Sequence, residues 1–188
     1  MNNKRLLLIG ASRGLGFALA KEYLNRGWNV VATIRGTSTK TALNELAETS
    51  GGQLEIEIVD INSPDQVRAL HTRLASRKFD MLFVNAGVKN DDRETIADVS
   101  TDEFVRVMVT NALSPMRVVE TLQEIVLPTG TIAVMSSGQG SVANNQNGNY
   151  EVYRGSKAAL NMFMRSFAAR HKDDPPNPAA SGSGLGQN

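Results

Sequence analysis

The sequence predicts an α/β fold in which a parallel, doubly wound sheet carries helices on both faces. Three observations predict it. Short apolar runs alternate with amphipathic stretches, the first run opens into a glycine-rich turn, and 41% hydrophobic content over 188 residues is enough for one sizeable core. One domain is expected over residues 1–172. Residues 173–188 hold three prolines, three glycines and two serines against one large apolar residue, Leu185, and read as a disordered tail.

In chain order, the apolar runs Leu6–Gly10, Asn29–Ile34, Leu54–Asp60, Asp80–Asn85 and Thr131–Ser136 read as strands. Between and after them, Leu15–Asn25, Thr41–Glu48, Pro64–Ser76, Asp102–Ile125 and Val152–Arg170 place apolar residues at three-to-four spacing and read as helices. Ser63-Pro64 supplies an N-cap and a proline for the first helical position. Strands that alternate with helices join in parallel through right-handed crossovers.

Composition excludes several classes. Twenty Lys and Arg against 19 Asp and Glu give no field to draw the chain onto nucleic acid or anionic lipid. Cysteine is absent, and His71 and His171 are too far apart in sequence to suggest a ligand pair, so no metal site is expected. Lys4 and Arg5 before an apolar run resemble the start of a signal peptide, but the run stops at Ala11 and Arg13 follows, short of the ~7–15 residues an export signal needs. No run of 18 apolar residues occurs. A cytoplasmic protein with no membrane partner is expected.

Gly10-Ala11-Ser12-Arg13-Gly14-Leu15-Gly16 joins the first strand to the first helix. Glycines there let the backbone turn sharply and approach a pyrophosphate, while free N–H groups and the helix dipole favour the anion. This is a Rossmann-type nucleotide turn by placement. The acidic residue that would meet a ribose 2′-hydroxyl about 20 residues on is missing. Arg35 ends the second strand instead, and with Arg13 it offers two cations to a 2′-phosphate, which selects NADP(H). Farther on, Tyr153 and Lys157 stand four residues apart on one helix face, where an ammonium favours the phenolate of a proton-transferring tyrosine. Tyr150 is a rival that lacks a lysine at that spacing.

Taken together with Asp60-Ile61, Asn85-Ala86-Gly87, Asn111 and Ser136-Ser137, these motifs resemble the short-chain dehydrogenase/reductase family from about Lys4 to Arg170. Within it, Ser136 to Asn161 looks most like the C-factor-like carbonyl reductases. The resemblance implies catalytic roles for Asn111, Ser137, Tyr153 and Lys157. Tyr153 would be the general acid or base and a cofactor contact, Lys157 its cation and a ribose ligand, Ser137 the carbonyl donor in preference to Ser136, and Asn111 the holder of a water that relays to Lys157. Asp60 and Ile61 would sit at the adenine, with Asn85, Ala86 and Gly87 on the cleft floor. Substrates would be small carbonyls or alcohols, and the two long helices would pair a homodimer. The polar run Asn144–Asn149 either rims the substrate mouth or is a surface insertion.

Family members continue past the Tyr/Lys helix with further strands, a nicotinamide-contacting turn and a substrate loop. Here Asp173–Asn188 stands in their place, so the fold is expected to be C-terminally truncated, with the fifth strand an unpaired edge. The abrupt change of composition reads as a shifted frame or a splice variant. Two functions follow: an NADP(H)-dependent carbonyl reductase or alcohol dehydrogenase, or a catalytically weak NADP-binding protein that acts through subunit association. Nucleotide-sugar epimerases fit the glycine spacing less well.

Overall fold

In the computed structural model, the described residues are 4–36, 40–172 and the backbone of 179–180. The expected disordered tail lies largely outside them. The elements run β1 (Arg5–Ile9), α1 (Gly14–Asn25), β2 (Asn29–Ile34), α2 (Ala42–Thr49), β3 (Leu54–Ile58), α3 (Pro64–Leu74), β4 (Phe79–Val84), α4 (Thr101–Met108), α5 (Ser114–Leu122), β5 (Val126–Val134), α6 (Glu151–Arg170) and β6 (Ala179–Ala180). Every strand pairing is parallel, in the order β3-β2-β1-β4-β5-β6. This is the doubly wound order, with the chain reversing direction across the sheet between β1 and β4.

Side-chain alternation along the strands makes both faces apolar. Leu7 and Ile9 of β1 join a core with α3, α5 and α6, and Leu6 and Leu8 join a second core with α1 and α2. A central strand buried on both faces reads as a continuous apolar run. Local chemistry sets the helix starts: the Ser63 hydroxyl accepts from the Gln66 N–H, Ser100 caps α4 through the Glu103 N–H, and Thr41 and Asn44 form a capping box.

Three expectations need correction. The helix read over Asp102–Ile125 is interrupted by a π turn over Val109–Leu113, in which the Ser114 N–H reaches back to the Val109 carbonyl. Pro115 is the cause: it has no N–H for the Asn111 carbonyl four residues earlier. The fifth strand starts earlier than Thr131, and its register on β4 jumps from Phe79–Val126 to Met81–Thr131. Pro128 cannot donate to a ladder, and the bulge falls around it. Finally, β5 is not a wholly unpaired edge, because Thr131 and Ile132 pair with Ala179 and Ala180. Two alanines carry too little hydrophobic pattern to show as a strand in the sequence.

Candidate active site

The loops after β1 and β4 meet where the sheet changes direction. Both the Asn85 and Ala86 N–H groups donate to the Ile9 carbonyl, and the Asn85 side chain donates to the Gly10 carbonyl at 2.7 Å. Gly10 has φ +87°, and a Cβ on it would lie 2.8 Å from the Ala86 nitrogen; one on Gly16 would lie 2.1 Å from the Gly10 carbonyl. Only glycine fits at either position. The Gly10 N–H is taken by the Thr33 hydroxyl at 3.0 Å, a buried partner from β2 that sequence reasoning did not single out.

Helix α1 begins without help from side chains. Arg13 occupies the N-cap with no side-chain cap bond, and the first turn carries no acidic residue. Its leading N–H groups and positive dipole end are left for an anion. Gly14 stands at the helix start, Ser12 is half-buried, and Leu15 is exposed. Arg13 and Arg35 are exposed, and neither has a carboxylate partner among the described residues. They follow β1 and β2, which are neighbours in the sheet.

Beyond β3, the Asp60 carboxylate accepts the Asn62 N–H at 2.9 Å in a local turn, and Ile61 is buried in the core. Asp60 therefore has a capping duty, and Ile61 has only its main chain to offer a ligand. The Val59 N–H donates to the Ile34 carbonyl, which sets this segment beside the exit of β2.

The other half of the candidate site is built from buried polar side chains. Asn111 is 0% exposed, with its Oδ1 accepting the Val88 N–H at 2.8 Å and its Nδ2 donating to the Val88 carbonyl and the Ser156 hydroxyl. Ser156 in turn donates to the Tyr153 carbonyl. Lys157 is 3% exposed and gives one N–H to the Met135 carbonyl at 2.8 Å; burial pushes its pKa down from 10.5 to about 8. Its ammonium lies 5.8 Å from the centre of the Tyr153 ring. A Cβ on Gly87 would stand 3.3 Å from Asn111 Oδ1 and 3.6 Å from Lys157 Nζ, so that glycine keeps open a gap between them.

The competing serines divide by their protons. Ser136 gives its hydroxyl proton to Asn161 Oδ1 at 2.5 Å, whereas Ser137 accepts the Gln139 N–H and keeps its own proton to donate. Two buried side-chain oxygens have no partner among the described residues: Asn90 Oδ1, in the segment after β4, and Gln139 Oε1, in the short turn Gly138–Gly140 after Ser137. Asn144–Asn149 is exposed and runs from the Ser137 turn into Tyr150 at the N-cap of α6. A surface groove of about 390 Å³ between α3 and α5, beside Pro64, Val67 and Met116, contains none of the expected site residues. Ser156 and Asn161 were missed in the sequence. Their signal was a polar residue at a core-facing position of an amphipathic helix.

Comparison with known proteins identifies the family. A family model described as short chain dehydrogenase matches residues 4–174. A Burkholderia multivorans structure described as a short-chain alcohol dehydrogenase is 59% identical with TM-score 0.90, covering 92% of this chain and 80% of that one. A second from the same organism, described as a short-chain dehydrogenase/reductase with bound NADP, is 54% identical with TM-score 0.88, covering 95% and 84%. A Pseudomonas aeruginosa carbonyl reductase in complex with NADP is 33% identical with TM-score 0.87, covering 93% and 76%. The chain spans 60–69% of the length of three curated relatives that it matches at 28–31% identity. No helix among the described residues is long and apolar enough to cross a membrane. A parallel sheet in this order, a glycine turn closed by Asn85, and the Asn111–Ser156–Lys157 cluster are thus the parts of a chain that belongs to the short-chain dehydrogenase family.

Proposed function

We propose that this chain is an NADP(H)-dependent carbonyl reductase or alcohol dehydrogenase in which Tyr153 is the general acid or base. The observation that carries it is the placement of Lys157: a buried ammonium, pinned to the end of β5 by the Met135 carbonyl, beside the Tyr153 ring and the Gly87 gap. A lysine is seldom buried without a task that offsets the cost.

The cofactor fits the residues present. Gly10 and Gly16 let the turn close on Ala86 and on its own backbone where a Cβ would collide, Gly14 leaves open space at the helix start, and the uncapped start of α1, with Ser12, Arg13, Gly14 and Leu15, would hold the pyrophosphate. Arg13 and Arg35 would take a 2′-phosphate, the Asp60–Ile61 segment would adjoin the adenine, and Asn85, Ala86 and Gly87 would floor the cleft. When bound, the nicotinamide supplies or accepts the hydride.

The chain's own groups manage the proton. Ser137 donates its free O–H to the substrate oxygen and orients it. Tyr153 then passes its phenolic proton to that oxygen, and the Lys157 charge stabilises the phenolate left behind. With one N–H spent on Met135, Lys157 has two more for ribose hydroxyls and for Tyr153. The Asn111 amide is occupied by Val88 and Ser156, so a relay water would use its main-chain carbonyl, which Pro115 deprives of its ordinary α-helical donor, or the second lone pair of Oδ1 facing the Gly87 gap. Exposed Phe104 and Val105 on α4, and Met162 and Phe163 on α6, which packs against α4, support a homodimer through these helices.

Calorimetric titration with NADPH and NADH, followed by turnover assays on small ketones, aldehydes and quinones, tests this reading. Selective NADPH binding with turnover that disappears in Tyr153→Phe is expected. Binding without turnover in the unaltered chain would leave the non-catalytic, subunit-associating alternative.

A further inference from the structure

A second ammonium stands beside the Tyr153 ring. Lys89, two residues beyond Gly87, places its Nζ 5.2 Å from the centre of the Tyr153 ring and 5.1 Å from that of Tyr150. Such contacts attract a cation to the ring faces and hold it there. They leave its N–H donors unspent.

The surroundings make that lysine unusual. Asp91 pairs with Arg93, and Glu103 pairs with Arg106. Glu94 accepts from the Asn90 amide, and Glu151 accepts from the Ile96 N–H. The Asp92 carboxylate interacts with the Tyr150 phenol and raises its pKa. Each of these neighbouring carboxylates is engaged elsewhere, and Lys89 has no carboxylate partner among the described residues. The aromatic wall beside it is anchored at some conformational cost. Tyr150 has φ +65°, its N–H donates to the Asp92 carbonyl, and its own carbonyl receives the Arg154 N–H at 2.7 Å. A tyrosine in the left-handed region is uncommon and needs such support, which is found most often at functional sites.

We propose that Lys89 is the specificity-determining residue of the substrate mouth, and that the substrate is a carbonyl compound carrying a carboxylate, which the Lys89 ammonium binds while Tyr153 protonates the carbonyl oxygen. This rests on the reductase reading above. Lys157 cannot serve both purposes, since it is buried, gives one N–H to Met135 and has its other two for the ribose hydroxyls and Tyr153. Lys89 is exposed, so replacing it leaves the fold and the nucleotide cleft intact.

The test compares 3- and 4-carboxybenzaldehyde with their methyl esters in the unaltered chain, Lys89→Met, Lys89→Arg and Lys89→Glu, with NADPH binding measured throughout. In Lys89→Met, the acid-to-ester ratio of kcat/KM is expected to fall by about tenfold or more for at least one isomer, because a charge-assisted contact is lost on the acid alone. Lys89→Arg keeps the preference and Lys89→Glu reverses it. A ratio that does not change, or equal losses on acid and ester, overturns the proposal, the latter because Lys89 would then act only on Tyr153. If the unaltered chain reduces neither aldehyde, the reductase reading is still decided by the ketone, aldehyde and quinone panel, and Lys89 is judged by calorimetry with benzoate in the presence of NADP+. Benzoate binding that is lost in Lys89→Met and kept in Lys89→Arg supports the site; absent or unaltered binding rejects it.

Discussion

Around Gly10 and Gly16 the cleft is shaped by atoms that are missing, whereas around Asn111, Ser156 and Lys157 it is shaped by polar atoms that are buried. The glycine turn needs no side-chain chemistry of its own. Its capacity comes from main-chain N–H groups, from a helix start with no cap, and from Asn85, which closes the turn on Gly10. The Tyr153–Lys157 side depends on satisfied polar contacts among buried groups, where each unmet one would cost about 1–3 kcal/mol. Binding and turnover should therefore respond to different lesions, and each can be damaged while the other survives.

The largest separation is expected from Tyr153→Phe. Removal of one hydroxyl from a half-exposed ring should lower kcat by about 10²- to 10⁴-fold, while NADPH affinity stays near that of the unaltered chain in the same titration. Parallel losses of binding and turnover would show that the two regions are one cooperative unit.

Lys157 permits a sharper test that needs no substrate. Its pKa in the fold is about 8, against 10.5 for an ordinary lysine. Below pH 8 the folded and unfolded chains both carry the proton, and the fold bears the full cost of the buried charge. Between about 8 and 10.5 the folded lysine is neutral while the unfolded one still binds a proton, so stability rises with pH, by about 3 kcal/mol across that window. Denaturant titrations should show this rise in the unaltered chain, and Lys157→Met should lack that component. Equal pH slopes for the two would mean that the ammonium is not desolvated.

On the nucleotide side the expected effect is steric. Gly16→Ala puts a methyl group 2.1 Å from the Gly10 carbonyl and 2.7 Å from the Asn85 amide, so the turn must open. Overpacking of this kind costs about 1–3 kcal/mol. Weakened NADPH binding and a lowered Tm should appear together. Gly14→Ala is the control, because nothing lies within 4 Å of its Cβ position and only its φ of +57° is strained.

The same contrast explains what could be read in the sequence. Strand β2 over Asn29–Ile34 was legible to the residue, and the glycine turn was legible because missing side chains leave a pattern in one short stretch. Tyr153 and Lys157 were legible for a different reason, since helical spacing puts them on one face. The partners were not: Thr33 to Gly10, Ser156 to Asn111 and Asn161 to Ser136 bring together residues 23 to 45 positions apart. No local period encodes such pairs. The π turn at Asn111 had a readable cause in Pro115, but a proline near the middle of a helical pattern predicts a break or kink without saying which main-chain group it releases.

The smallest effect separates the two cofactors. Arg13 and Arg35 are exposed and follow adjacent strands, so a 2′-phosphate held between them would be partly solvated and screened by salt. Each arginine should then contribute about tenfold, not a thousandfold, to the preference for NADPH over NADH. Arg35→Ala should weaken NADPH binding and leave NADH binding nearly unchanged. Arg13→Ala should also weaken NADH somewhat, since Arg13 is the N-cap of α1 beside the proposed pyrophosphate position. Raising the ionic strength should shrink the preference in the unaltered chain more than in Arg35→Ala. A preference that survives both substitutions and high salt would place the 2′-phosphate elsewhere, beyond the exposed arginines that the glycine turn and β2 present.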